Sequence, residues 1–197
     1  FTSDRATDRE RALKLTLATI DWAAKLEAPF VVVHTGRMRS LNLSEPLRAM
    51  VEQGNLHSRE YVRQKLAAVQ TREKVAEAYT TRVLETLREA AEHAGKRGVK
   101  LGIENREHYE AIPSEREFPD FLKRLDSANA GYWHDFGHAQ IKENLGLIDH
   151  CEHLATMAPR LLGCHIHDTR WPFRDHCPPF TGETRFDELV PLLPKKC

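Results

Sequence analysis

The sequence predicts an α/β fold with a parallel sheet, and three observations carry that prediction. Long stretches of helical periodicity alternate with short β-branched or apolar runs along the 197 residues, the pattern of repeated βα units. Each run stops at a polar residue able to do chemistry: His34, Glu104, Asp135 and His165. The later stops recur at near-constant intervals, 31 residues from Glu104 to Asp135 and 30 from Asp135 to His165. Each therefore falls at the C-terminal end of a strand, where α/β proteins gather their active-site groups.

Taken in order, residues 9–26 carry Leu13, Leu15, Leu17, Ile20, Ala23 and Ala24 at mostly helical spacing. The run APFVVVHTG (28–36) predicts a strand buried on both faces, stopping at His34. Residues 37–57 read as a loop with a short helix. Val62, Leu66, Val69, Val75, Tyr79, Val83, Leu87, Ala90 and Ala94 predict one long helix over 58–95, with Ser58 as N-cap and Gly95 as its stop. GVKLGIENRE (98–107) is the next strand. PSEREFPDFLKRLD (113–126) is a short helix opened by a Ser114–Glu117 capping box. AGYWHDFGH (130–138) is a strand with its exit loop, 147–161 a helix and LLGCHIHDT (161–169) a further strand. A proline-rich loop and a helix at 186–193 follow. No low-complexity segment or linker interrupts this order, so residues 1–197 read as a single domain.

Composition narrows the function classes. Basic and acidic side chains number 29 each, and zero net charge argues against a general nucleic-acid binder. No apolar run approaches the roughly 18 residues of a membrane span, and the polar start FTSDRATDRERA shows no signal peptide. The four cysteines, Cys151, Cys164, Cys177 and Cys197, make no C-x-x-C pair. They read as reduced thiols of a cytoplasmic protein. A chain opening on Phe1 rather than Met suggests processing or an excerpt of a longer polypeptide.

The four strand ends offer His34, Glu104, Asp135 with His138, and His165 with His167. Carboxylates joined by imidazoles suit a divalent cation, Mn²⁺, Mg²⁺, Co²⁺ or Zn²⁺. Glu104 and Asp135 would neutralise its charge, His165 would add a neutral nitrogen, and one side would stay open for substrate oxygens. His165 and His167 share a strand face, so one of them can instead bond to Asp168. His57, His93, His108, His134, His150 and His153 read as structural or solvated.

In this order, VVVHTG, LGIEN, HDFGH, GCHIHDT and DHCPPFTGE with FDEL resemble the xylose-isomerase-like TIM barrel superfamily over roughly residues 10–193. The resemblance implies a (β/α)8 barrel of which this chain covers roughly strands four to seven. Strands one to three and strand eight fall outside it. It implies Glu104 as a metal ligand that doubles as acid or base, Asp135 and His165 as further ligands, and His34 and His176 as substrate-binding histidines. His138 matches a residue that contacts substrate in the sugar enzymes and metal in the endonucleases. Asn105 and Arg174 lie near the mouth as substrate contacts, with Arg37, Trp133 and Trp171 close by. The chain stops at PKKC, before the strand-eight glutamate that is the family's fourth ligand and second proton handler. A half-barrel of this kind can also pair with a second copy.

The implied activity is a divalent-metal-dependent isomerase, epimerase or dehydratase. It acts on a sugar, sugar phosphate or polyol through an enediolate, with Glu104 and His138 as catalytic residues and neither nucleic acid nor membrane as partner. Two alternatives stay open. One is a zinc-dependent abasic-site endonuclease-like phosphodiesterase, weakened by Arg174 standing where the endonucleases carry a zinc-binding aspartate. The other is a non-catalytic barrel subunit or binding module.

Overall fold

The computed structural model describes residues 1–195. Its centre is a four-stranded parallel sheet in sequence order, β1 (Phe30–Val33), β2 (Lys100–Glu104), β3 (Ala130–Asp135) and β4 (Leu161–His165). Parallel neighbours need crossovers, and the helices between the strands supply them. The outer helices are α1 (Ala6–Lys25), α2 (Ser44–Glu52), α3 (Arg59–Lys96), α4 (Phe118–Leu125), α5 (Phe136–Asn144), α6 (His150–Met157) and α7 (Phe186–Leu189). A two-stranded antiparallel hairpin, β5 (Asp168–Arg170) and β6 (Arg174–Cys177), follows β4.

Strand alternation sends the two sheet faces to different fates. Val33, Leu101, Ile103 and Tyr132 point outward and join Ile20, Leu84, Leu87, Phe118 and Phe121 from the helices in one buried core. The inner face carries Trp133 in a slot between two glycines. A Cβ on Gly102 would lie 2.8 Å from the indole, and one on Gly163 would lie 2.4 Å from it. Trp133 also meets Phe30 edge-on at 6.0 Å and His165 at 5.4 Å. The indole is thus the floor beneath the strand ends.

Ser58 caps α3 as expected, its hydroxyl accepting from Tyr61 N–H at 3.0 Å. Several expectations are corrected. Strand β1 is not buried on both faces: Phe30 is exposed, because β1 forms the sheet edge among the described residues. Gly95 lies inside α3, and Gly98, at φ 70°, makes the turn. Helix α4 starts at Phe118 rather than near 113, since Pro119 is tolerated only in a first turn. Half of the expected capping box still forms, with Ser114 N–H donating to Glu117 Oε2 at 2.7 Å while Arg72 donates to the same oxygen.

The expected exit loop after β3 is helix α5, and the expected helix over 147–161 is the shorter α6 with a 3-10 turn at Ala158–Arg160. Strand β4 ends at His165, so His167 lies beyond it. The proline-rich loop contains the β5–β6 hairpin, and the last helix is only α7 plus a 3-10 turn at Val190–Leu192. His134, His150 and His153, read as structural or solvated on helix, loop or outer strand faces, are structural and deeply buried. No disulfide joins Cys151, Cys164 and Cys177, while Cys197 lies outside the described residues. Among the described residues no helix is long and apolar enough to cross a membrane.

Candidate functional site

The sheet register brings the strand ends together. Asp135 pairs with His165 across β3 and β4, and Glu104 sits beside Trp133 on β2. One carboxylate oxygen each from Glu104 and Asp135 and one nitrogen of His165 lie within 4.8 Å of one another. His165 Nδ1 is 3.2 Å from Glu104 Oε1 and 3.6 Å from Asp135 Oδ2. The Glu104 and Asp135 side chains are 1% and 3% exposed, whereas His165 is 45% exposed. The cluster therefore has a buried anionic floor and one open, imidazole side.

Asp135 has two jobs. Oδ1 caps α5 by accepting the His138 N–H at 2.9 Å. Oδ2 faces His165 and the Glu104 side. Cap and cluster position coincide because α5 begins directly at the strand end, which also turns the His138 ring into the cluster. His138 Nδ1 donates to the Asn105 carbonyl at 3.0 Å and lies 3.5 Å from Glu104 Oε1. Its Nε2 is left facing Glu107 Oε2 at 3.6 Å. Burial lowers the His138 pKa, partly offset by Asp135, so the ring is a neutral imidazole with an available Nε2 lone pair.

Arg106 was missed in the sequence, although it stands only two residues after Glu104. Its Nη1 lies 3.2 Å from Glu104 Oε2 and 3.0 Å from His34 Nε2, and its Nη2 is 3.1 Å from Glu107. His34 itself contacts Glu104 Oε2. Burial alone would raise the Glu104 carboxyl, but His34, Arg106 and His138 outweigh it and bring it down to about 2. Glu107 is likewise lowered against its burial, by a backbone hydrogen bond and by Arg106.

The donor set fits a divalent cation. Glu104, Asp135 and Glu107 against Arg106 leave three negative charges to one positive, a balance of minus two. The converging oxygens are hard anionic donors and His165 adds a nitrogen, the mixture that Mn²⁺, Mg²⁺, Co²⁺ or Zn²⁺ accepts.

The other expected residues fall as follows. His34 is half exposed at the rim. His176 stacks on His167 with ring centres 4.1 Å apart and meets His138 at 6.1 Å. Arg174 is exposed on β6, outside the carboxylate cluster. Asn105 is fully buried, its oxygen accepting from Asp135 N–H at 2.7 Å and its amide donating to the Asp135 carbonyl at 3.1 Å. Asn105 is a clasp between β2 and β3. His167 bonds to neither side-chain oxygen of Asp168, because those oxygens accept backbone N–H groups from Thr169, Thr181, Gly182 and Thr184. Instead His167 Nε2 lies 2.9 Å from Asp135 Oδ1.

A family model described as xylose isomerase-like TIM barrel matches residues 1–196. Among solved structures, the chain resembles a D-tagatose 3-epimerase-like protein at 21% identity and TM-score 0.67, covering 97% of this chain and 60% of that one. It also resembles D-psicose 3-epimerase with D-tagatose from Clostridium cellulolyticum H10, at 16% identity and TM-score 0.65, over 97% of this chain and 54% of that one. A third likeness is the apo form of 3-keto-D-glucoside 4-epimerase from E. coli, at 14% identity and TM-score 0.63, over 97% and 61%. The chain thus spans little more than half the length of these structures, and the likeness establishes the fold. Among curated proteins no sequence matches.

Proposed function

Because the chain belongs to the xylose isomerase-like TIM barrel family, we propose that it forms part of a cation-dependent sugar epimerase or isomerase, as a single partial-barrel domain. One observation carries this reading: two almost fully buried carboxylates converge with His165 at the strand ends, while His138 keeps an unspent Nε2 at the same mouth. The names of the three similar structures, all sugar epimerases or epimerase-like proteins, support a ketose or related sugar as substrate.

Glu104, Asp135 and His165 are the residues that would hold the cation. When bound, a divalent cation supplies the positive charge that makes a C–H next to a carbonyl acidic. Glu104 is placed to take that proton. A carboxyl held at about 2 is a weak base, so its basicity depends on releasing the contacts that His34 and Arg106 make to Oε2. A substrate hydroxyl that draws those two side chains away would activate Glu104 at the moment of binding. His138 accepts a substrate hydroxyl through Nε2, since Nδ1 is committed to the Asn105 carbonyl. Trp133, seated between Gly102 and Gly163, packs against His165 beneath the cluster.

The test is hydrogen exchange in D₂O. The Mn²⁺-loaded protein is incubated with a panel of ketohexoses, and deuterium at the carbon next to the carbonyl is read by NMR. Exchange is expected in the unmodified protein. His138→Asn should keep its Mn²⁺ and lose the exchange. Bound Mn²⁺ with no exchange into any ketose of the panel would overturn the sugar reading.

A further inference from the structure

Asp135 can serve a cation only if its carboxylate is held in one orientation. We infer that His167 is the positioning residue that does this, setting its Nε2–H against Asp135 Oδ1 in close polar contact and leaving Oδ2 as the oxygen turned towards Glu104 and His165. The inference rests on the cation reading above.

The tautomer decides it. His167 Nδ1 accepts the backbone N–H of His176 at 3.0 Å. A neutral imidazole carries one proton, so with Nδ1 accepting, the proton sits on Nε2. Nε2 lies 2.9 Å from Asp135 Oδ1, a close polar contact whose alignment falls short of a hydrogen bond. It faces the carboxylate with a proton rather than a lone pair. His167 is therefore not a ligand, although Asp135, His138 and His167 crowd within 4.8 Å of one another. Oδ1 also accepts the His138 N–H at 2.9 Å. One hydrogen bond and one close N–H contact thus meet on one oxygen, and the other is left for the cluster.

Two further contacts fix the His167 ring. It stacks on His176 with planes 13° apart. It also lies against Gly137, where an added Cβ would come within 2.1 Å of Cε1. The glycine between Asp135 and His138 is thereby explained as the seat of a ring that arrives thirty residues later. Because the N–H that sets the tautomer belongs to β6, the hairpin and the Asp135 carboxylate are mechanically joined.

The experiment measures Mn²⁺ affinity by the electron paramagnetic resonance signal of the free ion, for the unmodified protein, His167→Gln and His167→Leu. Gln offers an amide N–H near the position of Nε2, and Leu offers none. Removing an outer-shell partner of a ligand weakens affinity by about 10–100-fold. His167→Leu should fall by that factor. His167→Gln should recover most of the loss, to within about threefold of the unmodified protein on the same scale. Melting in EDTA checks that each variant folds. If His167→Leu does not fold, His167→Gln decides alone, a loss of about tenfold or more counting against the inference. Unchanged affinity in His167→Leu, or equal losses in both variants, would overturn it. An unmodified protein that binds no Mn²⁺ would overturn the cation reading itself, a failure visible before any variant is made.

Discussion

Acid should unfold this protein at a pH where most carboxylates are still ionised, because a histidine cluster is locked in its neutral form behind β3. The proton pattern can be worked out bond by bond. Gln140 Nε2 donates to Glu143 and Asn144, which turns its oxygen towards His150 Nδ1 at 3.4 Å. His150 therefore carries its proton on Nδ1 and accepts at Nε2 from His134 Nε2–H, 2.9 Å away. His134 Nδ1 then accepts from the Tyr132 hydroxyl at 2.7 Å, and Tyr132 accepts from His153 Nε2–H at 2.8 Å. Every ring is neutral and every shared proton is used once. Burial drives the pKa values down, to about 3 for His150 and about 4 for His153, and well below the usual value for His134. Lys142 and, for His150, Arg185 add to the depression, while Glu115 opposes it at His153. A depressed folded pKa means stability is full above the unfolded value of 6.5 and is lost as pH falls towards the folded one. Between pH 6.5 and 5 each such histidine costs about 2 kcal/mol, at about 1.4 kcal/mol per pH unit. His150 and His153 together give about 4 kcal/mol, against a typical total of about 5–15, and the depressed His134 acts in the same direction. Urea unfolding followed by tryptophan fluorescence in EDTA, at pH 7, 6 and 5, reads this directly. With a slope of about 1–3 kcal/mol per molar, the midpoint should drop by about 1 M or more. A midpoint unchanged between pH 7 and pH 5 would refute the neutral cluster, as would ¹⁵N shifts showing a charged His150 at pH 6.

Two substitutions extend the test to the site. Asp135→Asn keeps the shape and an oxygen that can cap α5, but removes a negative charge from the converging donors, so Mn²⁺ affinity should fall by about tenfold or more while metal-free melting changes little; calorimetric titration showing unchanged affinity would remove Asp135 from the ligand set. Gly137→Ala should destabilise by about 1–3 kcal/mol through the overlap with His167, and His167→Ala should relieve most of that cost. A double-mutant cycle in urea with additive effects would show that the ring and the glycine do not meet in solution.

How much of this was legible in the sequence depends on where each residue's partner lies. The four strands were visible because β-branched runs and a near-constant spacing are local signals, and the parallel order follows from the connections between them. Glu104, Asp135 and His165 were placed near one another by that spacing alone. Helix α5 was invisible for a physical reason: Phe136, Ala139, Gln140, Ile141, Lys142 and Asn144 are all buried, so no polar face marks a helical period. Its polar members find partners from elsewhere in the chain, Lys142 on Glu115 and Gln140 on His150. Asn105 looked like a mouth residue because the chemistry of an asparagine does not reveal whether it faces backbone or solvent. The same holds for HDFGH. Its aspartate could be read as a ligand from the motif, but the reason for its glycine is His167, held by a main-chain N–H from the hairpin. Short-range pattern can show which residues reach the strand ends, whereas the direction of a carboxylate is set by donors that only the folded chain brings into contact.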